Sequence, residues 1–299
     1  MVIINYKAGQ LANRIWNFSS FIANSIEHDY RLINPEFDEY CEYFEATSTN
    51  RFDHYPITTT LTGFWALDRT WSFLFRLQAD ITHKLFTSSP TYKLYRIFTS
   101  HDKKLTDYNL NNPDFLVDAK NRRVIVEGWF FRDLENIKKH ADLIRKFFTP
   151  IESYRTNVQQ IISQCKTKGD VIVGVHIRRG DYARFQKGIY YYEDEVYFNN
   201  MLAVQTRIEQ EGKKCVFLIC SNEKIDTKNY SGLNVEVENR HFIVDLYSLA
   251  KCDYIIGPPS TFTLWASFYG QVPFKFITDK QTVFNDLSEF KLEDPIINF

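Results

Sequence analysis

The residues best suited to chemistry lie close together: His176, Arg178, Arg179 and Asp181 fall within six positions of VIVGVHIRRGDY, residues 171–182. Two guanidinium groups offer planar, permanently charged forks suited to phosphate oxygens. An anionic, phosphorylated ligand is the first reading. The other is a strand end running into a solvated, charged loop, and these residues alone leave both open.

The elements around them decide how such a cluster could be placed. Residues 171–175 form an apolar, β-branched run, which suits a strand buried on both faces of a parallel sheet. The charged residues then fall at its carboxyl end, where ligands bind in open α/β sheets. Beyond it the pattern predicts a helix over 194–211, a strand over 215–220 and a short strand near Val235. A helix over 245–251, a strand over 254–257, a helix opening at Ser260–Thr261 and a strand over 274–277 follow. Strands alternating with helices imply a parallel, right-handed, doubly wound sheet.

The first residues read as a second unit of this kind. A strand over 2–5, a helix over 11–27 and a strand over 30–33 make a βαβ motif with Gly9 in its first turn. Such a turn approaches ligands closely in nucleotide-binding folds, and it is equally an ordinary turn glycine. Aromatic clusters at Phe64–Trp65 and Trp71–Phe75, and a helix from Thr70 to Phe86, are expected next. The Asn-rich stretch 106–114 reads as loop. A strand over 123–127, a helix over 134–148 and another over 152–165 close this half. The expectation is an α/β chain of two Rossmann-like domains facing across a cleft, 1–150 and 151–299, with a C-terminal segment able to pack back on the N-terminal domain.

Bulk properties narrow the function classes. The 299 residues are 44% hydrophobic, 24% charged and 16% aromatic, the composition of a globular protein. A net charge of -1 gives no basic footprint for nucleic acid. The five cysteines show no CxxC pair and no zinc spacing, so reduced, buried thiols in a reducing compartment are expected. No run approaches the ~18 apolar residues of a membrane span. A cytoplasmic location is expected, with peripheral contact at the inner membrane left open.

The sequence His-Ile-Arg-Arg-Gly-Asp-Tyr at 176–182 resembles the signature of the fucosyltransferase superfamily, closest to the α-1,2-fucosyltransferases. Three further stretches agree in order: GQLANR at 9–14, Gly128–Trp129–Phe130, and DLYSLAKCDYIIGPPSTFTLW at 245–265. The resemblance implies a GT-B-type fold with the donor held mainly by the C-terminal domain. It implies inverting transfer of fucose from GDP-fucose to a sugar hydroxyl, galactose O2 being the expected acceptor atom, with no cofactor and no essential metal. By the same resemblance Arg178 holds the donor pyrophosphate, Arg179 holds it or supports the loop, and Gly9 belongs to the glycine-rich turn. His176 and Asp245 contact guanine, and Ser260 and Thr261 meet the phosphate.

Physical chemistry is consistent with these roles. An arginine fork stabilises charge developing on a leaving pyrophosphate. A carboxylate such as Asp245 can accept both the ring N–H and the exocyclic amine of guanine. A helix opening at Ser260–Thr261 presents free N–H groups and its dipole to an anion; the plain reading of Ser260 is an ordinary N-cap, equally open on the residues alone, and an N-cap is the lesser alternative for Asp245. Asp181 and Glu127 are the candidates for a general base, and Asp181 could instead brace the arginines. The chain departs from the family pattern at Pro258–Pro259, Thr261, Leu264, Ala12 and Arg14, which bears on the sugar and the acceptor. The alternatives are a transferase for another nucleotide sugar and a non-catalytic binding protein for a nucleotide sugar or glycan. A glycan or lipid-linked oligosaccharide is the expected acceptor.

Overall fold

The computed structural model describes residues 1–49, 55, 57–59, 67, 70, 74, 77, 81, 91–97, 107–238, 240–281 and 283–292. The chain divides into two compact units, Met1–Ile151 and Glu152–Phe299.

In the first unit β1 (Val2–Ile4) leads into α1 (Leu11–His28), then β2 (Leu32–Ile33) and β3 (Ile57–Thr58). The strands β4 (Tyr92–Ile97), β5 (Tyr108–Asn109), β6 (Arg123–Gly128) and β7 (Phe131–Arg132) follow. Five of these form one parallel sheet in the order β3-β2-β1-β6-β4. Helix α1 supplies Ile15, Phe18 and Ile22 at helical spacing, all fully buried. It ends at Asp29 in the left-handed conformation (φ 54°), whose N–H donates to the Ser25 carbonyl.

Three local expectations are corrected here. The strand expected over 30–33 shortens to Leu32–Ile33, because Tyr30 turns its hydroxyl into the core to donate to Asn24 Oδ1 at 2.8 Å. Part of the expected 106–114 loop is strand β5, and α2 (Pro113–Asn121) follows, started by Asn112, whose side chain accepts from the Asp114 N–H. The helix expected over 134–148 is two, α3 (Leu134–Lys139) and α4 (Ala141–Phe147). His140 sits between them at φ -105°, ψ 21°, its ring held 2.9 Å from Glu27 Oε2. The aromatic clusters and helix expected over 64–86 lie largely outside the described residues, as does the C-terminal end, 293–299.

The second unit opens with α5 (Glu152–Lys168) and continues through β8 (Val171–Ile177), α6 (Asp194–Gln210), β9 (Cys215–Ser221) and β10 (Val235–Val237). It closes with α7 (Phe242–Leu249), β11 (Tyr254–Gly257), α8 (Thr261–Gly270) and β12 (Phe274–Phe276). All strand pairs are parallel, in the order β10-β9-β8-β11-β12. Every residue of β8 is buried, as its apolar run requires when helices cover both faces of a parallel sheet. Each such Val or Ile contributes about 1.5–3 kcal/mol by leaving water. The α/β fold class expected from the sequence is borne out.

In chain order the second sheet reads 3-2-1-4-5. The winding reverses between β8 and β11, and it is at such a reversal that open α/β sheets leave a crevice at their strand ends.

Candidate functional site

The carboxyl end of β8 carries His176 and Arg178, and the carboxyl end of β11 carries Gly257 and the Pro258–Pro259–Ser260 loop. The pairing Ile256↔Val175 brings Gly257 alongside His176. A Cβ at Gly257 would meet the His176 carbonyl oxygen at 2.6 Å, so only glycine permits this approach. His176 is itself buried, with Nδ1 2.9 Å from Thr263 Oγ1 and its ring 4.9 Å from that of Phe262. Burial, and then the charge of Arg178, push its imidazole down to about 3. The ring is neutral near pH 7, able to donate at one nitrogen and accept at the other.

Arg178 turns toward Asp181: its Nη2 lies 2.9 Å from Oδ2 and 2.8 Å from Oδ1. The guanidinium also lies 5.6 Å from the centre of the Tyr182 ring. The Asp181 side chain is 56% exposed and that of Arg178 17%, so water screens the carboxylate's side of the pair and an incoming phosphate can take its place. Arg179 behaves differently. Its Nε donates to the Tyr192 carbonyl at 3.1 Å and its Nη2 to Asp194 Oδ1, while its backbone N–H donates to Asn222 Oδ1 at 3.0 Å. Burial opposes ionisation of Asp194, yet hydrogen bonds from Tyr230, Arg179 and Asn229 hold its carboxyl below the usual range. Of the two arginines in the motif, Arg179 is tied to buried and half-buried partners, and the carboxylate beside Arg178 faces water.

Tyr182 joins the two strand ends. Its hydroxyl donates to the Pro259 carbonyl at 2.7 Å, and Phe185 stacks on its ring at 5.2 Å. Proline removes an N–H but keeps its carbonyl acceptor, and here that acceptor ties the 176–182 motif to the 258–260 loop. Ser260 caps α8, its Oγ accepting from the Phe262 N–H at 3.2 Å, and Thr261 is the first helical residue.

Asp245 is not an N-cap. The helix α7 starts earlier, capped by His241, whose Nδ1 accepts from the Ile243 N–H at 3.3 Å. Asp245 therefore lies in the first turn, buried, with Oδ1 accepting from Arg240 Nε at 2.9 Å. Burial raises its carboxyl to about 6, against the opposing pull of Arg240.

The remaining candidates belong to the first unit. Gly9 takes φ +58°, and its carbonyl accepts from Arg14 Nε at 3.1 Å. Arg14 also reaches the Glu36 carbonyl and Glu39, so the arginine in this turn locks its shape. Beside it lies a cavity of about 200 Å³ lined by Tyr6, Gly9, Asn13, Trp129 and Phe130 among others. Two stretches singled out in the sequence, 9–14 and 128–130, thus meet at one spot. Glu127 accepts from Asn5 Nδ2 at 2.7 Å on Oε1 and from Arg96 Nε at 2.6 Å on Oε2. Both oxygens of this candidate base are engaged.

Comparison with known proteins now bears on the site. Residues 134–277 match the family model described as Glycosyl transferase family 11. The resemblance read from the sequence is borne out. Among solved structures the chain is similar to a point mutant of Arabidopsis thaliana FUT1 in complex with GDP, at 12% identity and a TM-score of 0.58, covering 92% of this chain and 70% of that one. It is similar to the fucosyltransferase NodZ from Bradyrhizobium at 15% identity and a TM-score of 0.51, covering 91% and 92%. It is also similar to POFUT1 in complex with GDP-fucose at 12% identity and a TM-score of 0.53, covering 92% and 97%. At these identities the likeness establishes the fold, GT-B-type, that the sequence led us to expect. No curated protein matches the chain at a significant level.

The family 11 region contains His176, Arg178, Arg179, Asp181, Asp245, Ser260 and Thr261; Gly9 and Glu127 lie before it. Among the described residues no group of three or more His, Cys, Asp or Glu is placed to hold a metal ion, and no helix is long and apolar enough to cross a membrane. Sequence reasoning gave no role to Arg240, Asn222 or Thr263. A lone arginine in a loop carries no periodic signal, and its importance shows only when the fold brings it against Asp245. Tyr182 stood within the motif, but nothing in the sequence pointed to its partner 77 positions away.

Proposed function

We propose that the protein is an inverting fucosyltransferase that uses GDP-fucose and a glycan acceptor without a metal cofactor. The observation that carries this reading is that Arg178 follows β8 and the Ser260-capped start of α8 follows β11, the two adjacent strands at the reversal of the sheet. A cation on one strand end and the positive end of a helix dipole on the next suit a pyrophosphate. His176 and Asp245, on neighbouring elements, suit a base edge. NodZ has been described with GDP-fucose soaked in, and POFUT1 with GDP-fucose or GDP, which supports the choice of donor.

In this reading an acceptor hydroxyl oxygen attacks the anomeric carbon as its bond to the β-phosphate oxygen breaks. The bonding pair leaves with GDP, where Arg178 and the α8 N-terminus stabilise the new charge. The acceptor proton passes to a carboxylate or to water. Asp181 serves this reading as the brace of Arg178. Glu127, held between Asn5 and Arg96, would need to release one partner to accept a proton. Galactose O2 is the acceptor atom proposed, on a glycan or lipid-linked oligosaccharide built at the inner face of the membrane.

Incubation with GDP-fucose and a panel of galactosides, with and without EDTA, tests the proposal. Product with an α-1,2 linkage, undiminished by EDTA, is expected. Arg178→Ala should lower turnover by at least ~100-fold with the thermal midpoint nearly unchanged. Preference for UDP over GDP, or near-wild-type turnover by that variant, would sink the assignment.

A further inference from the structure

The buried contact between Arg240 and Asp245 is unexplained by packing alone. Arg240 precedes α7, and its side chain is only 5% exposed. Its Nε donates to Asp245 Oδ1 at 2.9 Å and its Nη2 to the Ile219 carbonyl of β9 at 2.7 Å, with Cys220 Sγ 3.9 Å away. Its Nη1 is buried with no hydrogen-bond partner among the described residues. Removing a guanidinium from water and leaving one donor idle is a net cost in a folded protein. Apolar residues of like volume would fill the space more stably, so the arginine is kept for something other than packing.

Resting on the proposed guanine site, we infer that Arg240 is a positioning residue for Asp245, fixing the carboxylate's orientation and keeping it ionised for a guanine ring N–H and amine. The fork is anchored to β9, so Asp245 is tied to the sheet as well as to its own helix. Free rotation of the carboxylate would place its two acceptors at random relative to a base edge; the Arg240 bond on Oδ1 fixes the plane.

The charge balance around the pair favours this role. From β9 the group that faces it is Cys220, and Cys165 of α5 and Cys252 after α7 lie close enough to interact with Arg240. Burial raises all three thiols, so they stay neutral. Lys168 of α5 is paired with Glu236 of β10, and His241 caps α7. Arg240 is therefore the cation that opposes the burial of Asp245. With it the carboxyl stands at about 6; without it the carboxyl rises further and loses its charge at neutral pH.

Binding of GDP and of inosine diphosphate, which lacks the 2-amino group, should be titrated from pH 5 to 9. Wild type is expected to bind GDP more tightly than inosine diphosphate, and to lose GDP affinity as pH falls through about 6. In Arg240→Gln that loss moves up by about one pH unit or more, and the preference for GDP shrinks on the order of tenfold. Arg240→Lys restores the charge and the pH profile but not the preference, because an ammonium lacks the fork. Asp245→Asn binds GDP weakly at every pH. An Arg240→Gln protein with the wild-type profile and preference overturns the inference. Should that variant not fold, an Arg240→Lys protein with the full wild-type preference overturns it instead. A wild type that binds no GDP overturns the guanine-site reading rather than the role of Arg240.

Discussion

His176 shows how far burial alone can set the state of a functional side chain. In the unfolded chain its imidazole titrates near ~6.5, whereas in the folded protein desolvation and Arg178 bring it to about 3. The unfolded state thus binds more protons between these values, and stability rises with pH across that window. The contribution of His176 is fully present above about 6.5 and is lost as pH falls toward 3, a change on the order of a few kcal/mol. As pH is lowered from 8 to 4 the urea midpoint of the wild type should fall relative to that of His176→Gln, which can keep a bond to Thr263. An unchanged slope in that variant would mean that other groups carry the acid sensitivity. The pressure is opposite at Asp245, where the raised carboxyl favours the folded state at low pH and costs stability as pH rises through about 6. Two buried groups with opposed shifts, one each on neighbouring elements, point to a site kept for recognition at the expense of stability.

At the scale of elements, what the sequence made legible was whatever repeated. The apolar run of β8 and the helical spacing in α1 come from burial, which writes itself into many residues at once. The winding of the second sheet followed from strand–helix alternation, and with it the place of the motif at a strand end. Capping was legible in principle: Asn112–Pro113–Asp114 is a start signal for α2, yet the surrounding asparagines masked it as loop. The break at His140 was not legible, because it depends on Glu27 more than 100 positions earlier. The link between the two strand-end loops was equally hidden, resting on one hydroxyl and one carbonyl. That link is testable. Tyr182→Phe keeps the ring against Arg178 and Phe185 but removes the 2.7 Å bond to Pro259, leaving a buried carbonyl short of a donor. A loss of about 1 kcal/mol in stability is expected, with a larger rise in KM for the donor than fall in kcat, since the loop then samples other positions. Equal KM values in variant and wild type would show that the bond serves packing only.

For the whole molecule, each unit carries its own parallel sheet and its own buried core, and this bears on how a donor would act on the chain. If GDP is held by the second unit, its binding energy is added to that unit's folding: about 2.7 kcal/mol at a ligand concentration of 100 Kd. For a unit of this size that corresponds to a rise of several degrees in its thermal transition. Hydrogen exchange can locate the effect. Saturating GDP should slow exchange in residues 171–182 and 254–263, where β8 and β11 end and α8 begins. It should leave the polar network around Asp133 in the first unit unchanged, since Asn24, Asn111 and Asn136 already satisfy that carboxylate without any ligand. Protection confined to the Gly9 turn, with none at the β8/β11 reversal, would move the nucleotide to the first unit and end the present assignment.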